Sequence, residues 1–262
     1  MKTRARHLQE NGEKSIIGCV KDDGKSLKYG RVLLKLSGEA LGGADGCLDG
    51  GRLAWTAQRV KELLAAGVQV GIVCGGGNIF RGLSGEGRGV ERTTGDTMGM
   101  LATVINSLAI CDALEREGVG AKVFSSVEMP KVAELFTRRR ALECLAAGSV
   151  AIFAGGTGNP YFSTDSAAAL RACEIGADAL VKATKVDGIY TADPKKDPSA
   201  ARFDTLDYAT ALEKRLKVMD AAAFALCMDN SMPIIVLDFF DSGAMLRAVR
   251  GEKAGTVVGN SI

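Results

Sequence analysis

The chain has 262 residues, with 33 Lys+Arg against 31 Asp+Glu, a formal net charge of +2, 47% hydrophobic and 24% charged residues. That length suits one large α/β domain or two small ones, and the composition is that of a globular protein. A near-neutral balance argues against a dedicated nucleic-acid binder, and the small basic excess lies in residues 1–30, with seven Lys/Arg and four Asp/Glu.

Residues 1–30 read as a poorly ordered leader whose one apolar patch spans residues 16–20; a regulatory or membrane-surface arm is the alternative. From Arg31 on, short apolar runs alternate with helical periodicity. The pattern predicts strands over 32–36, 68–74, 121–125, 150–154, 179–183, 234–237 and 256–258. Between them it predicts helices over 52–66, 96–117, 131–147, 166–175, 219–229 and 244–250, several stopped by a following glycine such as Gly67, Gly118 or Gly148. Strands separated by helices imply a parallel sheet covered on both faces. No linker-like segment divides the chain, so one continuous α/β unit with two lobes is expected, without internal repeats.

Seven scattered cysteines without a C-x-x-C pair read as reduced thiols of a cytoplasmic protein, and a lone histidine, His7, argues against a Cys/His zinc site. No apolar run is expected to reach the ~20 residues that span a membrane, and the N-terminus lacks the apolar core of a secretory signal.

Three glycine-bearing loops follow strands, where open α/β sheets bind ligands. The first is Lys35-Leu36-Ser37-Gly38-Glu39-Ala40, the second Gly75-Gly76-Gly77-Asn78 with Arg81 beyond it, and the third Gly155-Gly156-Thr157-Gly158-Asn159-Pro160-Tyr161-Phe162-Ser163-Thr164. Glycines at a strand end allow close backbone approach, and successive N–H groups there hold anions. Lys35, inside a strand, needs an anion to be tolerated, unless it snorkels from the strand end. Ser163 or Thr164 is a natural N-cap; Asp165 then either complements the helix dipole or holds Lys35 in position. Tyr190 and Asp193 either stack on a base and bind a ribose or belong to a solvated turn ending at Pro194. The Walker and Rossmann glycine signatures are absent. With cations and amides but no histidine base, the candidate groups suit phosphoryl transfer to an acceptor that is itself anionic.

These loops, with Gly95-Asp96-Thr97-Met98-Gly99-Met100-Leu101-Ala102-Thr103, residues 182–194 and Lys214-Arg215-Leu216-Lys217-Val218-Met219-Asp220, resemble the bacterial uridylate (UMP) kinases, in the same order from about Arg31 to the C-terminus. The resemblance implies the amino-acid-kinase fold: α/β, a three-layer α/β/α sandwich with a mostly parallel central sheet. A single domain over 31–262 would then carry an N-terminal phosphate-acceptor lobe and a C-terminal ATP lobe. It implies transfer of the ATP γ-phosphoryl group to UMP, with Mg²⁺, in pyrimidine nucleotide biosynthesis. Carried over residue by residue, Lys35, Leu36, Ser37, Gly38, Gly77 and Arg81 contact ATP phosphates, and Thr184, Tyr190 and Asp193 hold its adenosine end. Gly76, Asp96, Thr157, Gly158, Asn159, Pro160, Tyr161, Phe162, Ser163 and Thr164 hold UMP. Lys35 and Arg81 stabilise the transferring group, Asp165 orients the charged side chains, and no metal ligand is assigned. The resemblance also implies a homohexamer activated by GTP and inhibited by UTP. The chain departs from the family pattern in its leader and at Cys111 and Glu115 on one helix face. Rival expectations are a kinase of the same fold with a carboxylate or carbamate acceptor, a non-catalytic nucleotide-binding protein, and a dehydrogenase.

Overall fold

The computed structural model describes residues 26–43, 47–80, 89–194, 196–216 and 218–260. The strands are β1 (Arg31–Leu36), β2 (Gln69–Cys74), β3 (Ala121–Ser125), β4 (Glu134–Leu135), β5 (Val150–Ala154), β6 (Ala179–Thr184), β7 (Thr205–Asp207), β8 (Ile234–Asp238) and β9 (Gly255–Gly259). They form one sheet in the order β4-β3-β5-β2-β1-β6-β8-β9-β7. Every neighbouring pair is parallel except β8 with β9. The helices are α1 (Gly50–Ala65), α2 (Arg92–Arg116), α3 (Arg138–Ala146), α4 (Thr164–Ile175), α5 (Tyr208–Glu213), α6 (Ala221–Asp229) and α7 (Ala244–Val249).

The two faces of β1 show how the layers arise. Side chains alternate across a strand, so Val32, Leu34 and Leu36 join the core under α1, α2 and α7. Leu33 joins the opposite core under α3, α4, α5 and α6. Lys35 shares the Leu33 face and therefore points toward α4. The run Ala167-Ala168-Ala169, with Ala172, is fully buried there, and such small side chains let a helix sit close to a sheet. Gly176, at φ 61°, ends α4 in the left-handed conformation.

Residues 26–30 join the fold: the Lys28 and Tyr29 amides donate to the Val249 carbonyl, and Tyr29 is buried. Residues 1–25 of the expected leader lie outside the described residues.

Four expectations need correction. Residues 131–137 are not helical; Glu134–Leu135 adds an edge strand to β3, and the Thr137 hydroxyl caps a helix that starts only at Arg138. The edge pairing and the cap together override the helical periodicity. Helix α2 begins at Arg92, one turn before Asp96, and β7 and α5 lie where no element was expected. Finally, α2 contains an 18-residue window of mean hydropathy 1.5, long and apolar enough to cross a membrane. Here its Val104, Ile110, Ala113 and Leu114 pack into the core over the sheet, which accounts for the apolar run.

Candidate active site

Lys35 on β1 and Lys182 on β6 are direct register partners in adjacent parallel strands. Two like charges side by side on one face repel. The carboxylate of Asp165, in the first turn of α4, resolves this by taking Lys35 Nζ at 2.8 Å on one oxygen and Lys182 Nζ at 2.7 Å on the other. Lys182 Nζ also donates to the Val218 carbonyl at 2.7 Å. All three side chains are largely buried. Burial pushes the Asp165 pKa up, but the two ammonium groups outweigh it and hold the carboxyl below its ordinary range. Ser163 positions the acid from sequence: its hydroxyl accepts the Ser166 amide as N-cap and donates to Asp220. The result is two positive charges fixed by one negative charge beside a helix N-terminus, a net attraction for phosphate.

The loops after β1 and β2 touch each other. A Cβ at Gly38 would stand 2.6 Å from the Gly75 carbonyl oxygen, so only glycine fits. Behind them Asn78 and the fully buried Asn106 exchange amide hydrogen bonds, and Asn106 also donates to the Gly75 carbonyl at 2.6 Å. Ser37 leads into the short 3₁₀ turn Gly38–Ala40. The Leu36 side chain faces the core under α1, which leaves only its backbone toward the loops.

Beside the N-terminus of α4 lies a cavity of about 410 Å³. Gly76, Asp96, Thr157, Asn159, Tyr161, Phe162, Ser163 and Thr164 line it, as expected of an acceptor pocket, together with Gly77, Phe80, Arg92, Met100 and Thr103. Gly158 and Pro160 do not line it; Gly158 donates to the Gly155 carbonyl and shapes the loop from behind. Asp96 has a task no sequence argument assigned. Its carboxylate accepts the Tyr161 amide at 2.8 Å and Arg92 Nε at 2.9 Å, which pins the acceptor loop to α2.

A second cavity of about 460 Å³, which Lys182 lines, also has Thr184, Tyr190, Asp193, Gly188, Pro194 and Val236 in its wall. Its wall is braced by a β-bridge between Tyr190 and Arg202, and the Tyr190 hydroxyl donates to Asp187 at 2.7 Å. That bond pushes the Tyr190 pKa up.

The structure thus brings most of the residues expected at the acceptor into one cavity and Thr184, Tyr190 and Asp193 into another, while Lys35, Leu36, Ser37, Gly38 and Asp165 line neither and Gly77, expected beside the ATP phosphates, lines the first. Arg81 lies outside the described residues. Lys182, Arg92, Asn106 and Asp220 were missed. Lys182 carried a usable signal, a lysine inside an apolar strand, the same signal that singled out Lys35.

A model of the amino acid kinase family matches residues 30–238, and the chain belongs to that family. It is 55% identical over 234 residues to the uridylate kinase of Porphyromonas gingivalis, covering 89% of this chain and 98% of that protein. It is 51% identical over 234 residues to the uridylate kinase of Bacteroides thetaiotaomicron, covering 89% and 99%. Among solved structures, the UMP kinase from Bacillus anthracis superposes with a TM-score of 0.87 at 38% identity, covering 89% of this chain and 97% of that one.

Proposed function

We infer that this chain is a UMP kinase, a phosphotransferase that moves the γ-phosphoryl group of ATP to UMP and forms UDP and ADP. One observation carries the reading: the Lys35–Asp165–Lys182 bridge links two cavities of nucleotide size, Lys182 lining one and Thr164, next to Asp165 in the chain, lining the other. The likeness to uridylate kinases over nearly their whole length supports the choice of UMP.

The acceptor phosphate is mostly dianionic at neutral pH, its second pKa being ~6, so its oxygen attacks phosphorus without a base. The obstacle is repulsion between two anions. A positive charge about 4 Å from the moving phosphoryl group contributes roughly 4 kcal/mol at an effective dielectric of ~20. Lys35 and Lys182 together offset a repulsion of that order. Asp165 keeps them aimed, and the glycine amides after β1 and β2 add fixed dipoles. In this reading UMP occupies the cavity beside Asp96 and ATP the cavity beside Tyr190, with Thr184 and Asp193 at its adenosine end and Arg81 beside the phosphates. That division matches an N-terminal acceptor lobe and a C-terminal ATP lobe.

Mg²⁺ enters with ATP as the counterion of its phosphates. This suits the donor set, because both Asp165 oxygens are engaged by lysines, and among the described residues no group of three His, Cys, Asp or Glu is placed to hold a metal. An exposed apolar stripe on α2, Met98, Leu101, Ile105 and Leu108, supports self-association, and the homohexamer rests on the family likeness alone. Free thiols at six described cysteines suit a cytoplasmic location. GTP activation and UTP inhibition belong to the same proposal and rest on the family likeness alone.

The test is an ADP-release assay offering UMP, CMP, dCMP, aspartate and acetylglutamate as acceptors. UMP is expected to be used with the highest kcat/KM by at least about tenfold, a difference of 1.4 kcal/mol. A faster amino-acid acceptor would replace this reading with the carboxylate-kinase one.

A further inference from the structure

Arg171 has no part in the phosphoryl-transfer scheme, yet it is the most buried charged side chain on α4, 4% exposed. Burying a guanidinium is strongly unfavourable unless its donors are met, and an apolar residue of equal length would fill the space. Its contacts meet two of its three nitrogens, and Nε is buried without a hydrogen-bond partner. Nη1 pairs with Glu174, and Cζ lies 3.9 Å from the centroid of the Phe136 ring. Nη2 donates to Ser126 Oγ at 2.9 Å. The Ser126 hydroxyl donates onward to the Gly156 carbonyl at 2.8 Å.

Gly156 lines the acceptor cavity. Gly155, Gly156 and Gly158 have φ of 74°, 59° and 83°, a path that glycine permits but does not enforce. Outside contacts must therefore select it. Thr103 Oγ1 accepts the Gly155 amide at 2.8 Å from the α2 side, and Ser126 holds the Gly156 carbonyl from the other. In a planar trans peptide the next N–H points opposite to the carbonyl. Tying the Gly156 carbonyl to Ser126 thus turns the Thr157 N–H away from Ser126, and among the described residues no protein group accepts it.

We propose that Arg171 is a positioning residue for the acceptor nucleotide. Glu174 and Phe136 fix its fork, the fork orients the Ser126 hydroxyl, and that hydroxyl sets the Gly156–Thr157 peptide so that its N–H donates to a carbonyl or phosphoryl oxygen of UMP. The proposal rests on the UMP kinase reading and adds to it a residue that touches neither substrate.

Steady-state kinetics of the full chain test it. Ser126→Ala is expected to raise the KM for UMP about fivefold, the effect of one lost hydrogen bond, with the KM for ATP and kcat within about twofold. Arg171→Met is expected to match it, and Arg171→Lys as well, because an ammonium lacks the two-ended fork. The double variant Ser126→Ala/Arg171→Met is expected to be no worse than either single, since both residues serve one relay. If the Arg171 variants do not fold, Ser126→Ala decides alone. An unchanged KM for UMP, an equal rise for both substrates, or multiplying effects in the double variant would overturn the proposal. A wild-type chain that does not phosphorylate UMP would instead overturn the function it rests on.

Discussion

Lys35 and Lys182 are opposite each other in the pairing of β1 with β6, and their ammonium groups reach the two oxygens of one carboxylate. Removing that carboxylate's charge leaves two buried cations in mutual repulsion. Asp165→Asn is expected to lower kcat by about 10²–10³, the range seen when a preorganised electrostatic group is lost, while both KM values move less than about threefold. Lys35→Ala is expected to lower kcat at least as much without weakening UMP binding. An unchanged turnover number in either variant, measured by ADP release, would remove the pair from the transition state.

The same group sets an acid limit. The folded-state pKa of Asp165 is depressed, burial opposing and the two lysines prevailing. Such a group contributes stability above its unfolded value, near 4, and the contribution is lost as pH falls through the folded value. Wild type is therefore expected to lose Tm more steeply than Asp165→Asn below about pH 4. Thermal unfolding from neutral to acid pH checks this, and parallel curves would contradict it.

Asp96 pins the acceptor loop through the Tyr161 amide as well as facing the cavity. Asp96→Ala is expected to raise the KM for UMP by about tenfold, since the loop amide and Arg92 both lose a charged acceptor. The KM for ATP is expected to stay within about threefold. A defect confined to ATP would reverse the assignment of the two cavities.

Tyr190 separates ring from hydroxyl. Its hydroxyl is engaged by Asp187, which leaves the ring face for a base. Tyr190→Phe is expected to change the KM for ATP less than about threefold, and Tyr190→Ala to raise it about tenfold, in line with the loss of one stacking partner. Equal effects of the two substitutions would show that the hydroxyl, not the ring, is what matters.

On α2, Leu101 is 46% and Ile105 49% exposed on one face. The double substitution Leu101→Glu/Ile105→Glu is expected to yield a smaller species by light scattering after gel filtration. An unchanged mass would move the subunit contact elsewhere.

Much of the architecture is legible in the sequence. The strands at β1, β2, β3, β5, β6, β8 and β9 fall within one residue of expectation at each end, because apolar runs closed by glycine or a polar turn carry a strong period signal. The edge strand β4 and the strand β7, two and three residues long, are too short to repeat a pattern that could be read. Most residues expected around the acceptor do line one cavity, since they sit in one continuous loop. Lys182 went unassigned because no glycine loop marks the end of β6. Arg171 and Asn106 went unassigned because a polar residue within a helix looks the same in sequence whether it faces solvent or a buried partner.

β1 lies between β2, whose loop lines the cavity beside Asp96, and β6, whose end lines the cavity beside Tyr190. Each half of the molecule thus borrows the same central strand while keeping its own loops. On the proposed division of the cavities, a lineage can exchange the molecule being phosphorylated by rewriting the segments on the β2 flank, leaving the other socket as a reusable part. A chimera that joins this chain's β6-to-β9 half to an acceptor half of different taste is the natural engineering corollary of that arrangement.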